Sequence, residues 1–297
     1  MKAGLFSDRL LAAIEEKRSH VVVGFDPDYE LLPPELKSKR VADKQASEEK
    51  VACFREFLTR LLTVLVDEVV AVKLQIAYFE ALGASGYALY EEMIARAQAL
   101  DYLVIADVKR GDIGSTAEAY AQAHLDHAGA DAVTVNPYFG SDGLEPFFRR
   151  TQEGKGVFVL VKTSNPSSAE LQDQPMASGR PFYEHVAEMV VQWGANVRGA
   201  SGYSAVGAVV GGTHPAQAGA LRRLLPGVPL LVPGYGAQGA QADDLRGVFD
   251  EEGTGAVVNS ARAILYAYRK RRESWDMAAR VEAREMRLAL WRAAGRA

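Results

Sequence analysis

Asp107 and Lys109 lie two apart at the end of the apolar run Tyr102-Leu-Val-Ile-Ala-Asp107, so a strand there points both side chains to one face. If that face is interior, two ions are partly desolvated at a cost of several kcal/mol each, and a hydrophobic pair would often replace them without loss. A salt bridge on an exposed rim would contribute only roughly 0–1 kcal/mol. Lys73 ends a second apolar run and Asp26 follows the first, so four groups of alternating sign gather where packing has no use for them. Retaining such charges is therefore a hint of function.

A second set of residues suits an anion. Pro233-Gly-Tyr-Gly-Ala-Gln-Gly239 is a glycine-rich loop whose backbone N–H groups could approach a phosphate, although glycine also serves tight turns. Arg262 follows the next apolar run and can hold a phosphate by two parallel hydrogen bonds. The histidines offer less. His124 and His127 share a helical pattern without a third ligand, His185 and His214 are isolated, and no metal site is expected. Cys53 falls in a helical pattern with Val51, Phe54 and Leu58 and reads as a small core residue. It is the single cysteine, so no internal disulfide forms.

The elements that must position these groups are eight short apolar runs. They are His20–Phe25, Val69–Leu74, Tyr102–Asp107, Ala132–Asn136, Val157–Lys162, Ala205–Val210, Pro229–Pro233 and Gly255–Asn259. Near-continuous apolar runs suit strands covered on both faces. Helical patterns such as Ser47–Val66, Tyr87–Leu100 and Phe182–Trp193 lie between them. That alternation implies parallel βαβ units, and eight of them imply an α/β fold, the closed (β/α)8 TIM barrel. A doubly wound sheet is the alternative, but no G-x-G-x-x-G follows the first run. With no linker or repeat, residues 1–297 are expected to form one barrel domain with extra N- and C-terminal helices.

In such a barrel the C-terminal strand ends form the active face, and the loops after strands seven and eight are the usual phosphate site. The polar strand ends here are Asp26, Lys73, Asp107 with Lys109, Asn136, Lys162-Thr-Ser164 and Asn259–Arg262, with glycines after strands six and seven. Two connections are long, 27–46 and the polar 163–180, as binding loops often are.

Composition excludes several classes. Of the 297 residues 48% are apolar and 24% charged, which supports a large core and argues against disorder. The net charge of -4, with one basic run at Arg269–Arg272 read as the solvated surface of a late helix, argues against nucleic acid. No secretory signal or membrane-length apolar run is visible, so the cytoplasm is the expected location.

The segment Asp107-Val-Lys-Arg-Gly-Asp-Ile-Gly-Ser-Thr116 has the form D-x-K-x-x-D-I-x-x-T. It resembles the orotidine 5′-phosphate decarboxylases, and Asp26, Lys73 and the Pro-Gly-x-Gly-Ala-Gln-Gly loop add to the resemblance. The likeness runs from about Val21 to Leu265, and the long loops look like those of the longer bacterial branch. It implies decarboxylation of orotidine 5′-phosphate to UMP in de novo pyrimidine biosynthesis, without cofactor or metal. It also implies roles. Lys109 would protonate C6, Asp107 would sit against the substrate carboxylate, Lys73 would bridge Asp107 and the ribose, and Asp26 would bind a ribose hydroxyl. Ser164 would contact the pyrimidine, and Gln238 and Arg262 the phosphate. Asp112 and Thr116 would reach the neighbouring subunit's site, which makes the partner a second copy in a homodimer with shared sites. One departure is Ala261, where the family often has glycine before the phosphate arginine.

The nearest rival is a Mg2+-dependent sugar-phosphate decarboxylase or aldolase of the same superfamily, which shares D-x-K-x-x-D. It needs a further acidic ligand at the preceding strand end, where this sequence has Lys73. A non-enzymatic phosphonucleotide-binding barrel would not need Lys109 beside Asp107.

Overall fold

Each of the eight apolar runs forms a strand: β1 Val21–Phe25, β2 Ala71–Gln75, β3 Leu103–Arg110, β4 Ala132–Val135, β5 Gly156–Lys162, β6 Val206–Val210, β7 Leu230–Pro233 and β8 Ala256–Ser260. All pair in parallel with their sequence neighbours, and β8 closes on β1 through Val21↔Val258. The coordinates are a computed structural model and describe residues 4–37, 47–236 and 239–296.

Alternation within the strands sorts side chains into two layers. Val22, Ala71, Leu103, Ile105, Ala132, Phe158, Val209, Leu231 and Val257 fill the barrel interior. Val21, Val23 and Phe25 face the other way, into the layer between sheet and helices. Helix α1 (Phe6–Lys17) plugs the N-terminal end of the barrel with Phe6, Leu10 and Ile14, all essentially inaccessible. Gly156 makes room for that plug, since a Cβ there would stand 2.3 Å from the Phe6 ring.

Among the described residues seven α-helices lie in the connections that run from β1 to β7: α2 Ser47–Leu65, α3 Ile76–Glu80, α4 Ala84–Ala99, α5 Gly114–Ala121, α6 Gly140–Arg149, α7 Phe182–Trp193 and α8 Pro215–Leu224. The crossover from β7 to β8 is instead a 3-10 turn over Asp243–Val248. After β8 come the short α9 (Arg262–Leu265) and the long α10 (Trp275–Ala293), which packs on α2 and β1. The basic run Arg269–Arg272 starts at the end of a 3-10 turn, Ala267–Arg269, and otherwise falls in the link before α10 rather than on a long helix, and Arg271 pairs there with Glu282 and Glu285. Cys53 is buried in the layer between sheet and helices, the core place its helical pattern predicts.

Two buried histidines make the fold sensitive to acid. His20 hydrogen-bonds the Ala256 carbonyl through Nδ1 (3.0 Å) and packs against Phe249 and Trp291. His124 lies 3.2 Å from the Tyr90 hydroxyl. Burial pushes each down to about 4 from 6.5. Both are therefore neutral in the folded chain and take up a proton on unfolding as pH falls below 6.5. Their contribution is complete above that pH and is lost progressively toward pH 4, about 3 kcal/mol for each. Urea unfolding between pH 7 and 4.5 should show this decline, and His20→Leu should flatten it. A decline unchanged in that variant would count against His20.

Candidate active site

The interior faces of the strands turn polar at their C-terminal ends. Two residues beyond Ala71 is Lys73 and two further is Gln75; two beyond Ile105 is Asp107; two beyond Ala132 is Thr134. These groups converge in a cavity of about 400 Å³ at the barrel mouth, together with Asp26, Lys109, Ser164, Asn259 and Arg262.

Asp107 is the hub. Its Oδ2 accepts from Lys73 Nζ (2.6 Å) and Gln75 Nε2 (3.1 Å). Its Oδ1 accepts from Lys109 Nζ (2.5 Å) and the Thr134 hydroxyl (2.9 Å). Lys73 also approaches Asp26 at 4.0 Å. Burial pushes the Asp107 carboxyl up, but the two ammonium groups outweigh it and hold the group well below the usual carboxylate range. Burial pushes Lys73 down, yet Asp107 and Asp26 leave it net raised. Burial raises Asp26, only partly offset by Lys73. The Lys73 side chain is 6% exposed and that of Lys109 45%, so Lys109 is the more open of the two ammonium groups on Asp107.

Lys109 reaches Asp107 by a route that strand alternation does not describe. Strand β3 leaves its pairing with β4 after Ala106↔Val133 and rejoins at Arg110↔Val135, so Asp107, Val108 and Lys109 oppose Thr134 alone. The bulge places Lys109 at φ +47, in the left-handed region that a Cβ disfavours. Bulges re-aim side chains in this manner beside active sites.

The side of the cavity formed after β7 and β8 holds Arg262, the first residue of α9. Gly234 lines it at φ +108 and Gly236 follows two residues on at φ +72, so both are glycines because this turn requires left-handed backbone. Gln238 lies outside the described residues. Ala261 adopts φ -108, where a side chain is no strain, and Gly24 opposite gives its methyl room.

Other strand ends serve the loops. Asn136 caps the turn at Pro137–Phe139 by accepting from the Tyr138 N–H. Lys162 is buried and binds Ser168 (3.0 Å) and Asp173 (2.7 Å), which straps the 163–180 loop to β5. Asp112 and Thr116 do not line the cavity. The Asp112 Oδ1 accepts from the Ile113 N–H, Thr116 is exposed on α5, and Ile113, Tyr138 and Phe139 expose apolar surface on the same rim. Gln75 and Thr134 escape the sequence reading. The available signals were a strand running two residues past Lys73 and a lone hydroxyl inside Ala132-Val-Thr-Val135.

A closed parallel barrel with a buried carboxylate clamped between two ammonium groups at its mouth has the build of a barrel enzyme, with its site at the C-terminal strand ends. The chain belongs to the orotidine 5′-phosphate decarboxylase / HUMPS family, whose model matches residues 19–277. Orotidine 5′-phosphate decarboxylase of Rhodopirellula baltica is 44% identical over 282 residues, 92% of each chain. That of Caldicellulosiruptor bescii is 41% identical over 278 residues, 89% of this chain and 90% of the relative. The solved OMP decarboxylase of Leishmania donovani superposes with a TM-score of 0.75 at 33% identity, covering 97% of this chain and 98% of its own. No described helix is long and apolar enough to cross a membrane.

Proposed function

We propose that this chain converts orotidine 5′-phosphate to UMP as a step of de novo pyrimidine biosynthesis in the cytoplasm. The observation that carries the reading is the Lys73–Asp107–Lys109 cluster at the mouth of a barrel of this family. In this reading the C6–carboxylate bond breaks, CO2 leaves, and the electron pair stays on C6. The Lys109 ammonium stabilises that pair and then donates its proton to it. Asp107 lies beside the leaving carboxylate. At about 4 Å and an effective dielectric of about 20, their repulsion is about 4 kcal/mol, roughly a thousandfold in rate if it is relieved in the transition state. Lys73 bridges Asp107 and the ribose, Asp26 takes a ribose hydroxyl, and Ser164 meets the pyrimidine. Arg262 and Gln238 hold the phosphate, so remote binding energy acts on the reacting bond. The Mg2+-dependent alternative is less favoured, because Lys73 puts an ammonium where that chemistry needs a further carboxylate.

The same reading makes the chain one barrel domain, α1 and α10 included, and a homodimer in which Asp112 and Thr116 complete the partner's site. Support for the latter is their position on a rim with exposed Ile113, Tyr138 and Phe139, outside the chain's own cavity. A crystal with a 6-substituted UMP tests the assignments. The C6 group should lie against Lys109 and the phosphate against Arg262. A nucleotide bound outside this cavity would overturn them.

A further inference from the structure

Thr134 is essentially inaccessible, with 1% of its surface exposed, yet it is a polar residue in the middle of an apolar strand. Its hydroxyl makes two bonds, and their directions are fixed. The Lys109 backbone N–H can only donate, so Thr134 Oγ1 accepts it at 2.9 Å. The hydroxyl proton is then free for Asp107 Oδ1, an ionised oxygen that can only accept, also at 2.9 Å. One side chain thus ties the backbone of Lys109 to the carboxylate that its ammonium meets.

The bulge explains why a hydroxyl is needed. Three residues of β3 face Thr134 alone, so the regular ladder has no carbonyl in place for the Lys109 N–H. A buried N–H must find some acceptor. The Thr134 hydroxyl is that acceptor, at the position where Lys109 holds φ +47.

We propose that Thr134 is a positioning residue that locks Lys109 in its left-handed conformation and fixes the rotation of the Asp107 carboxylate. The inference rests on the decarboxylase reading for its kinetic consequence, and on geometry alone for its structural one. Thr134 touches no reacting atom. It sets where the ammonium stands relative to C6, and an error of about 1 Å there can lower a rate on the order of 100-fold. Asp107 keeps Lys73 and Gln75, and the phosphate side is untouched, so substrate binding changes little.

The test compares Thr134→Val, which removes the hydroxyl at nearly constant shape, with Thr134→Ser, which keeps it. Expected is a kcat on the order of 100-fold lower for Thr134→Val, with KM within about threefold, and a Thr134→Ser variant within about fivefold of wild type. Thr134→Ala serves in place of Thr134→Val if the latter does not fold. Equal losses in the valine and serine variants, or a change in KM alone, would mean packing and overturn the proposal. A crystal structure of Thr134→Val is the second arm. Lys109 should leave the left-handed region or the Asp107 carboxylate should turn; both unchanged also overturns the proposal. If wild type itself does not turn over orotidine 5′-phosphate, the decarboxylase reading fails, and this second arm alone decides the role of Thr134.

Discussion

Lys109→Ala should lose essentially all decarboxylation while UMP and its analogues still bind. The ammonium has two tasks in the proposed reaction, stabilising the electron pair left at C6 and delivering its proton. Placed proton donors contribute typically 10²–10⁴-fold and preorganised charge a further 10²–10³-fold, so a loss on the order of 10⁵-fold is expected. Lys73 is not placed to replace it, being buried and held at 2.6 Å from Asp107. Arg262 and Asp26, proposed to hold the phosphate and a ribose hydroxyl, are untouched, so ligand affinity should change by less than about tenfold. Single-turnover kinetics with a parallel UMP titration separate the two effects. A variant keeping a tenth of wild-type kcat would remove Lys109 from the role of proton donor.

Asp112 offers the next largest effect, the recovery of activity from two inactive variants. Asp112 lies past the end of β3, one residue before the Ile113 that leads into α5, and not in its own chain's cavity. If it serves the partner's site, a two-fold interface makes both crossings at once. Lys109→Ala and Asp112→Ala should each be nearly inactive as homodimers. In a mixed dimer one site collects both lesions and the other neither. With random exchange half the dimers are mixed, each with one intact site, so coexpression should restore about one quarter of wild-type activity. The Asp112→Ala homodimer is assayed first, since it must fall well below that level. No recovery would mean that Asp112 serves its own chain.

The barrel was legible because burial on both faces leaves each strand as a short apolar run that stands out from the helical patterns around it. The ends were less so. β3 continues through Val108-Lys109-Arg110, where charge masks a strand that runs out into the barrel mouth. The spacing of Asp107 and Lys109 predicts their convergence by regular alternation, and they do converge, but through a bulge and a left-handed Lys109. Thr134 was invisible for a related reason. Its value comes from standing opposite that bulge, which no local pattern in β4 announces. Lys162 shows the reverse, since a strand-end charge looks the same in sequence whether it faces substrate or, as here, anchors a loop.

The most direct measurement follows the absorbance of orotidine 5′-phosphate with the purified chain and EDTA in excess, with UMP quantified at the end. Expected is full conversion to UMP at a rate the chelator does not change. No turnover at any enzyme concentration would contradict the decarboxylase reading, and turnover abolished by EDTA would contradict a reaction run by Lys109 and Asp107 without a metal ion.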